Sequence, residues 1–400
     1  MALRGMLCPA VSVSPDAAGD SGDCMRDWSS HFRVSAFYPN HNQSFIIGMD
    51  AGLCFYWAIG SPAVFPEGGE PMKKILCLLL CLILLLFTGC LDSVPLGKRA
   101  VVRTVGLDYE NGEYTAALQL YGQSDSPGGP EIITAKGDTL AGLFSNAAIQ
   151  QGKQLFLGNL RLILFGASLS AEGIEDVLGF LNEYHQISPA TQTAVVLGKA
   201  GELMKPEEDK SLPGELLDTL SNAQQGGRAP LCRLMDLIPE QADHAAPVLA
   251  LAEGPAAIAA GSVIFSEGKV ESYLDPEATR GLCWLQGEIG GAVLETKSPV
   301  SAAVTRKVSH KISPEAAACF IQLYVSSSLW EGPQDTGLYP AIAREQERMI
   351  QQEIEAFLDR TLRQGLDPFD WGSRMGQANL AEAQYQLSVQ CQIEEQGAAS

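Results

Sequence analysis

The sequence predicts an α+β protein of several domains, in which mixed β-sheets pack against helices, including one long amphipathic C-terminal helix. Three observations predict this class. Apolar strand-like runs alternate with amphipathic helical stretches between residues 100 and 204. Asn111-Gly112 supplies a tight hairpin turn between two strand-like runs. A helical apolar stripe is sustained over residues 342–363.

The first half of the folded region alternates between strands and helices, which is typical of a mixed α/β domain. Apolar residues alternate or run continuously where we expect strands, and recur every three or four residues where we expect helices. The run Leu160–Phe165 is of the kind buried on both faces of a sheet. We predict strands at 100–107, 114–121, 160–165 (within the stretch 155–165) and 193–197, and helices at 140–150, 170–184, 199–204 and 214–223.

The second half combines a hairpin, a short helix, further strands and the long helix. A second hairpin is predicted over 263–274, and Asp275 with Pro276 caps a helix that runs to Leu285. Strands follow within 287–308, and the long helix 342–363 stops at Gly365. The final strand, 385–393, alternates between apolar and polar residues.

Charged and Pro-flanked residues after 204 predict the domain boundaries. We expect an N-terminal mixed α/β domain at 90–204 and a linker and middle region at 205–259. A C-terminal α+β domain with the long helix is expected at 260–400.

Residues 72–89 have the pattern of a lipoprotein signal peptide. Met72-Lys73-Lys74 is a basic start, Ile75 to Phe87 is an apolar run, and Gly89 precedes Cys90. As a helix this run spans about 20 Å, which is too short for a bilayer core of about 30 Å. The segment Leu86–Cys90 resembles the lipobox of bacterial lipoproteins. That resemblance implies cleavage between Gly89 and Cys90 and a diacylglyceryl group on the Cys90 thiol.

Residues 1–71 precede this signal peptide, although a signal peptide opens the chain that it exports. They show no clear period, and they mix Pro, Gly, Asp and Ser with scattered aromatic residues. We interpret them as spurious translation from a start codon set too far upstream. The codons possible for Glu67 to Pro71 can contain a ribosome-binding sequence just before the codon for Met72.

The net charge of −20 argues against nucleic acid as a partner, because such binding depends on Lys and Arg. It also argues against binding of anionic lipid by a cluster of basic residues. Membrane attachment is therefore expected through the N-terminal lipid.

No catalytic or metal site is evident, and we expect a non-enzyme without a cofactor. The histidines after Cys90, namely His185, His244 and His310, have no zinc-ligand spacing. Trp284 and Trp330 are expected in the core. Cys232, Cys283, Cys319 and Cys391 are interpreted as buried apolar side chains, with a disulfide left open for an exported domain.

Short motifs in order along the chain resemble the Ger(x)C family, the lipoprotein C subunits of spore germinant receptors. Gly106 and Asp108 fall in a segment similar to its first-strand motif, and Gly158, Asn159 and Gly166 fall in a segment similar to its Gly-His strand. Asp275 opens a segment similar to its C-terminal domain. The matching segments are 89–92, 105–108, 157–166, 261–265, 274–281 and 364–369.

The resemblance implies a lipoprotein without known catalysis on the outer face of the spore inner membrane. It implies partnership with a multi-span A subunit and a transporter-like B subunit in nutrient sensing. The alternatives are a solute-binding lipoprotein of an ABC-type transporter and a lipid-anchored hydrolase. Neighbouring genes for A and B subunits, or for a permease and an ATPase, discriminate between the first two.

Overall fold

The computed structural model describes residue 79 and residues 95–121, 131–184, 186–204, 216–238, 242–252, 257–287, 289–314, 318–376 and 384–394. Within these residues the chain forms two β-sheets packed with helices, which confirms the α+β class. The charged, Pro-flanked segment 205–212 lies outside the described residues.

The first sheet has nine strands among the described residues, in the order β3-β2-β1-β5-β6-β7-β8-β9, with β4 paired to β1. Strands β1, β5, β6 and β7 are parallel neighbours, and the hairpins at both sides of them are antiparallel. The strands are β1 (Arg99–Glu110), β2 (Glu113–Leu120), β3 (Ile132–Gly137), β4 (Gln154–Phe156), β5 (Leu162–Gly166), β6 (Gln192–Val196), β7 (His244–Leu251), β8 (Ala257–Ser266) and β9 (Lys269–Leu274).

The second sheet has the order β10-β11-β12-β13 among the described residues, and its last pair is parallel. The long helix connects this parallel pair, as a crossover connection requires. The remaining strands are β10 (Val293–Lys297), β11 (Val300–Pro314), β12 (Ala318–Glu331) and β13 (Gln384–Glu394). The helices are α1 (Leu140–Gln151), α2 (Ala167–Glu172), α3 (Glu175–Glu183), α4 (Ala200–Met204), α5 (Leu216–Gln225), α6 (Leu234–Leu237), α7 (Pro276–Gln286), α8 (Tyr339–Leu362) and α9 (Trp371–Met375).

Both faces of the first sheet are covered, and β5 shows why its sequence is continuously apolar. Ile163 and Phe165 point into a first core with α1, α2, α3 and α6. Leu162 and Leu164 point into a third core, on the opposite face of the sheet, with α4 and α5. A second core, between α7, α8 and the second sheet, contains Ile264, Trp284 and Ile354.

The strand predicted within 155–165 is found as β5, and a turn at Gly158 and Asn159 separates it from the short strand β4. The predicted helix 170–184 is also divided, into α2 and α3. Gly173 between them has φ +131, a backbone conformation that no helix contains and that glycine adopts readily.

The long helix begins at Tyr339, three residues before its predicted start at 342, with Pro340 in its first turn. It ends at Leu362, and Gly365 follows with φ +72. The alternation predicted for the last strand is confirmed, since alternate residues of β13 are half-buried.

The segment expected to be a linker contributes to the sheet. Its described part contains α5, α6 and β7, and β7 pairs with β6 and β8. The first sheet therefore continues past residues 204 and 259, while the division into domains at these residues stays a prediction. Trp284 is buried as expected, but Trp330 is 59% exposed and its expected core position is wrong.

Helices α7 and α8 contact each other very closely at Gly281. A Cβ atom built on Gly281 would lie 2.0 Å from the carbonyl oxygen of Glu353. Beside this contact, the Glu353 carboxylate accepts a hydrogen bond from Trp284 Nε1 (2.7 Å) and lies 3.3 Å from Arg280 Nε. Burial raises the pKa of Glu353, and Arg280 opposes this shift.

Replacing Gly281 by alanine should destabilise the protein by about 1–3 kcal/mol, because the helices must move apart. Gly179→Ala is the matched control, since Gly179 is an exposed residue of α3 and a methyl group on it would meet no atom within 4 Å. The control should be neutral or stabilise by about 0.5–1 kcal/mol. Urea unfolding measures both changes, and an unaltered Gly281→Ala protein would contradict the close contact.

Candidate functional site

The residues predicted for lipidation, Gly89 and Cys90, lie outside the described residues. The described chain resumes at Pro95, and β1 begins at Arg99. Lipidation of Cys90 therefore stays a prediction.

Asp108 binds the first turn of α4 through both oxygens of its carboxylate. The backbone N–H of Ala200 donates to Oδ1 at 2.8 Å, and that of Gly201 donates to Oδ2 at 2.9 Å. Leu107 pairs with Phe165 in the parallel β1–β5 ladder, so Asp108 lies where both strands end. The carboxylate thus attaches α4 to this edge of the sheet.

Glycines predicted from the motifs make room for this attachment. A Cβ atom on Gly166 would lie 1.9 Å from Asp108 Oδ1. A Cβ atom on Gly106 would lie 2.8 Å from Met204 Sδ and 3.1 Å from the Ala200 side chain. Gly106, Asp108 and Gly166 therefore form one cluster, the Asp108 cluster, although 58 residues separate Asp108 from Gly166 in the sequence.

The Asp108 carboxylate is buried, and its burial raises its pKa. The two N–H donors oppose that shift. At the rim, Lys199 lies 2.8 Å from Glu110, and this carboxylate raises the pKa of Lys199. Backbone N–H groups donate to both oxygens of Asp108, so this carboxylate positions α4.

The other motif residues lie elsewhere. Gly158 and Asn159 are exposed in the turn between β4 and β5, where a Cβ atom on Gly158 would lie 2.6 Å from the Phe156 ring. Asp275 caps α7 as predicted, since Oδ1 accepts the N–H of Ala278 at 2.9 Å. Its second oxygen lies 3.4 Å from Arg360 of α8.

Sequence reasoning missed two groups of contacts. It did not connect Asp108 with the first turn of α4, because the two are joined only by tertiary structure. It also did not single out Glu353, whose side chain joins α7 to α8. The four-residue spacing of Arg280 and Trp284 on one helix face is the one signal that could have indicated a shared partner.

Cys232, Cys283 and Cys319 are buried and Cys391 is half-buried, and none of the four forms a disulfide among the described residues. This confirms that the first three pack as small apolar side chains. Burial raises the pKa of Cys232 and of Cys391 to about 12, and that of Cys319 to about 11. These three thiols are therefore protonated near neutral pH and weakly nucleophilic.

Within the described ranges, no three side chains of His, Cys, Asp or Glu come together as a set of metal ligands. The helices in this part of the chain also include none with the length and apolar character needed to span a membrane.

Replacing Asp108 by asparagine should destabilise the protein by about 1–3 kcal/mol. The asparagine side chain keeps one acceptor oxygen but turns an NH₂ group toward the second N–H donor of α4. Asp138→Asn is the matched control, because Asp138 is exposed and should change stability by less than about 0.5 kcal/mol. The urea midpoint reports the change, and equal midpoints for the two variants would show that the Asp108 carboxylate contributes little.

Two protein-family models match the chain, in the order of its motifs. Residues 92–253 match the family model for the spore germination protein N-terminal domain. Residues 260–395 match the model described as spore germination B3/GerAC like, C-terminal.

YfkR of Bacillus subtilis (strain 168), named as a spore germination protein, is 24% identical over 194 residues. That alignment covers 44% of this chain and 50% of YfkR, so the chain spans about half the length of this curated relative. The crystal structure of the GerBC protein is 17% identical with a TM-score of 0.45, over 72% of this chain and 96% of that chain. With both family models matched in order along most of its length, the chain belongs to the Ger(x)C family of spore germination proteins.

Proposed function

We propose that the chain is the lipid-anchored C subunit of a nutrient germinant receptor, with a role in receptor assembly or signalling and without catalysis. One observation supports this most: the two germination family models follow directly behind a lipobox-like segment. The first model begins at residue 92, two residues after Cys90.

The proposed anchor is a diacylglyceryl group on Cys90, exposed as the new N-terminus after cleavage behind Gly89. The proposed location is the outer face of the spore inner membrane. The proposed partners are the membrane-spanning A and B subunits of the receptor. A lipid anchor would hold this chain at the same membrane as these subunits. The acidic surface fits contact with protein partners better than contact with nucleic acid.

The positions of two carboxylates are consistent with the proposed role. Asp108 holds α4 against the first sheet, and Glu353 holds α7 against α8. Rigid positioning of helices around two sheets suits a subunit that presents fixed surfaces to its partners.

The anchor is tested by comparing wild type with Cys90→Ala in inner membranes from purified dormant spores. Wild type should be present in these membranes, and Cys90→Ala should be lost from them or remain as unprocessed precursor. Cys77→Ala, in the apolar run before the cleavage point, is the matched control and should localise like wild type.

Detection of wild type only in membranes of growing cells would be consistent with a lipoprotein but would contradict the germination role. In that case the solute-binding lipoprotein of a transporter becomes the better hypothesis. Unchanged spore-membrane localisation of Cys90→Ala would reject the lipid anchor.

A further inference from the structure

A cleft of about 670 Å³ lies where the first-sheet region meets the second core. One wall is the segment around α6, where the N–H of Leu234 donates to the carbonyl of Thr191, the residue that precedes β6. The other walls are the C-terminal end of α7, strand β11 and helix α9. This volume is in the usual range for pockets that hold small ligands.

The cleft is basic, although the chain as a whole is strongly acidic. Arg233, Lys311 and Arg374 line it together with His310. Asp236 is the one carboxylate among the described lining residues, and its Oδ2 accepts the backbone N–H of Arg233 at 2.9 Å. Among the described residues, no carboxylate lies within 4 Å of the charged groups of Arg233, Lys311 or Arg374. Among the described residues, the three cations therefore have no carboxylate partner, and an anionic ligand would complement their charge.

One side of the cleft is aromatic and held in place. The rings of Phe369 and Trp371 stack with centroids 5.1 Å apart and planes 14° apart. Asp367 fixes the loop that carries them, because its carboxylate accepts the N–H of Gly372 at 2.6 Å and that of Phe369 at 3.4 Å. Trp371 is itself buried in the second core. The aromatic wall is thus rigid before any ligand arrives, which limits the entropy lost on binding.

We propose that this cleft binds a small organic anion that combines one or more carboxylate or phosphate groups with a planar apolar part. The three cations would bind the oxyanion through charge-assisted hydrogen bonds, and the half-buried ring of Phe369, stacked on Trp371, would contact the planar part. Since the cleft joins segments from both family-model regions, the ligand would contact both of them at once. This inference goes beyond the proposed receptor role and does not depend on it.

The test uses the full-length protein in a non-ionic detergent, with phthalate as probe and isothermal titration calorimetry as the measurement. Phthalate should bind, and benzylammonium, an aromatic cation of similar size, should not. Lys311→Gln should weaken phthalate binding at least fivefold. Lys307→Gln is the matched control, because Lys307 is exposed on the same strand outside the cleft lining and should leave affinity unchanged.

Inorganic phosphate tests the aromatic wall, since it offers the charge without the planar part. Phthalate should bind at least fivefold more tightly than phosphate, and equal affinities would overturn the assignment of a planar ligand. Arg374→Gln provides a second variant with the same expected loss, and circular dichroism confirms that each variant is folded.

Absence of phthalate binding, or equal loss in Lys311→Gln and Lys307→Gln, would overturn the proposal. So would Lys311-dependent binding of a poly-glutamate peptide with no binding of phthalate, because the cleft would then serve a protein partner. None of these results depends on where the protein resides in the spore, so the receptor role is judged separately by the Cys90→Ala experiment.

Discussion

Strand β8 belongs to two hydrophobic cores, and the rest of the structure depends on this shared position. Val263 and Phe265 point into the first core, while Ile264 between them points into the second core. Because successive side chains of a strand point to opposite faces, one short segment contributes to both. The pairing of β8 with β7 and β9 then fixes where α7 starts, at Asp275 directly after β9. The position of α7 in turn determines where α8 can pack.

This arrangement gives the buried charges and glycines their roles. Gly281 permits the close approach of α7 and α8, and Glu353 joins the two helices through Arg280 and Trp284. At the other side of the first sheet, Asp108 attaches α4 to the ends of β1 and β5. The basic cleft opens between these two halves, so an anion bound there would contact elements from both.

The sequence was most informative where local chemistry determines structure. The Asn111-Gly112 turn, the Asp275-Pro276 helix start and the alternation of β13 depend on neighbouring residues, and all were predicted. The turn at Gly158 and Asn159, which separates β4 from β5, was not predicted because the residues around it form an otherwise apolar run. Strand β7 was not predicted; its parallel partner β6 is distant in sequence, although its antiparallel partner β8 follows it directly. The Asp108 cluster and the cleft are likewise made by tertiary contacts, so motif order indicated the family but not these sites.

The claim that β8 unites the two halves is tested most directly by hydrogen exchange of the full-length protein at increasing urea concentration, measured by mass spectrometry. Peptides from β1 and β5 should lose protection at the same urea concentration as peptides from β8, α7 and α8, because the two cores share a strand. Loss of protection in α7 and α8 at clearly lower urea, while β1, β5 and β8 stay protected, would contradict the account. The second core would then be an independently folding unit.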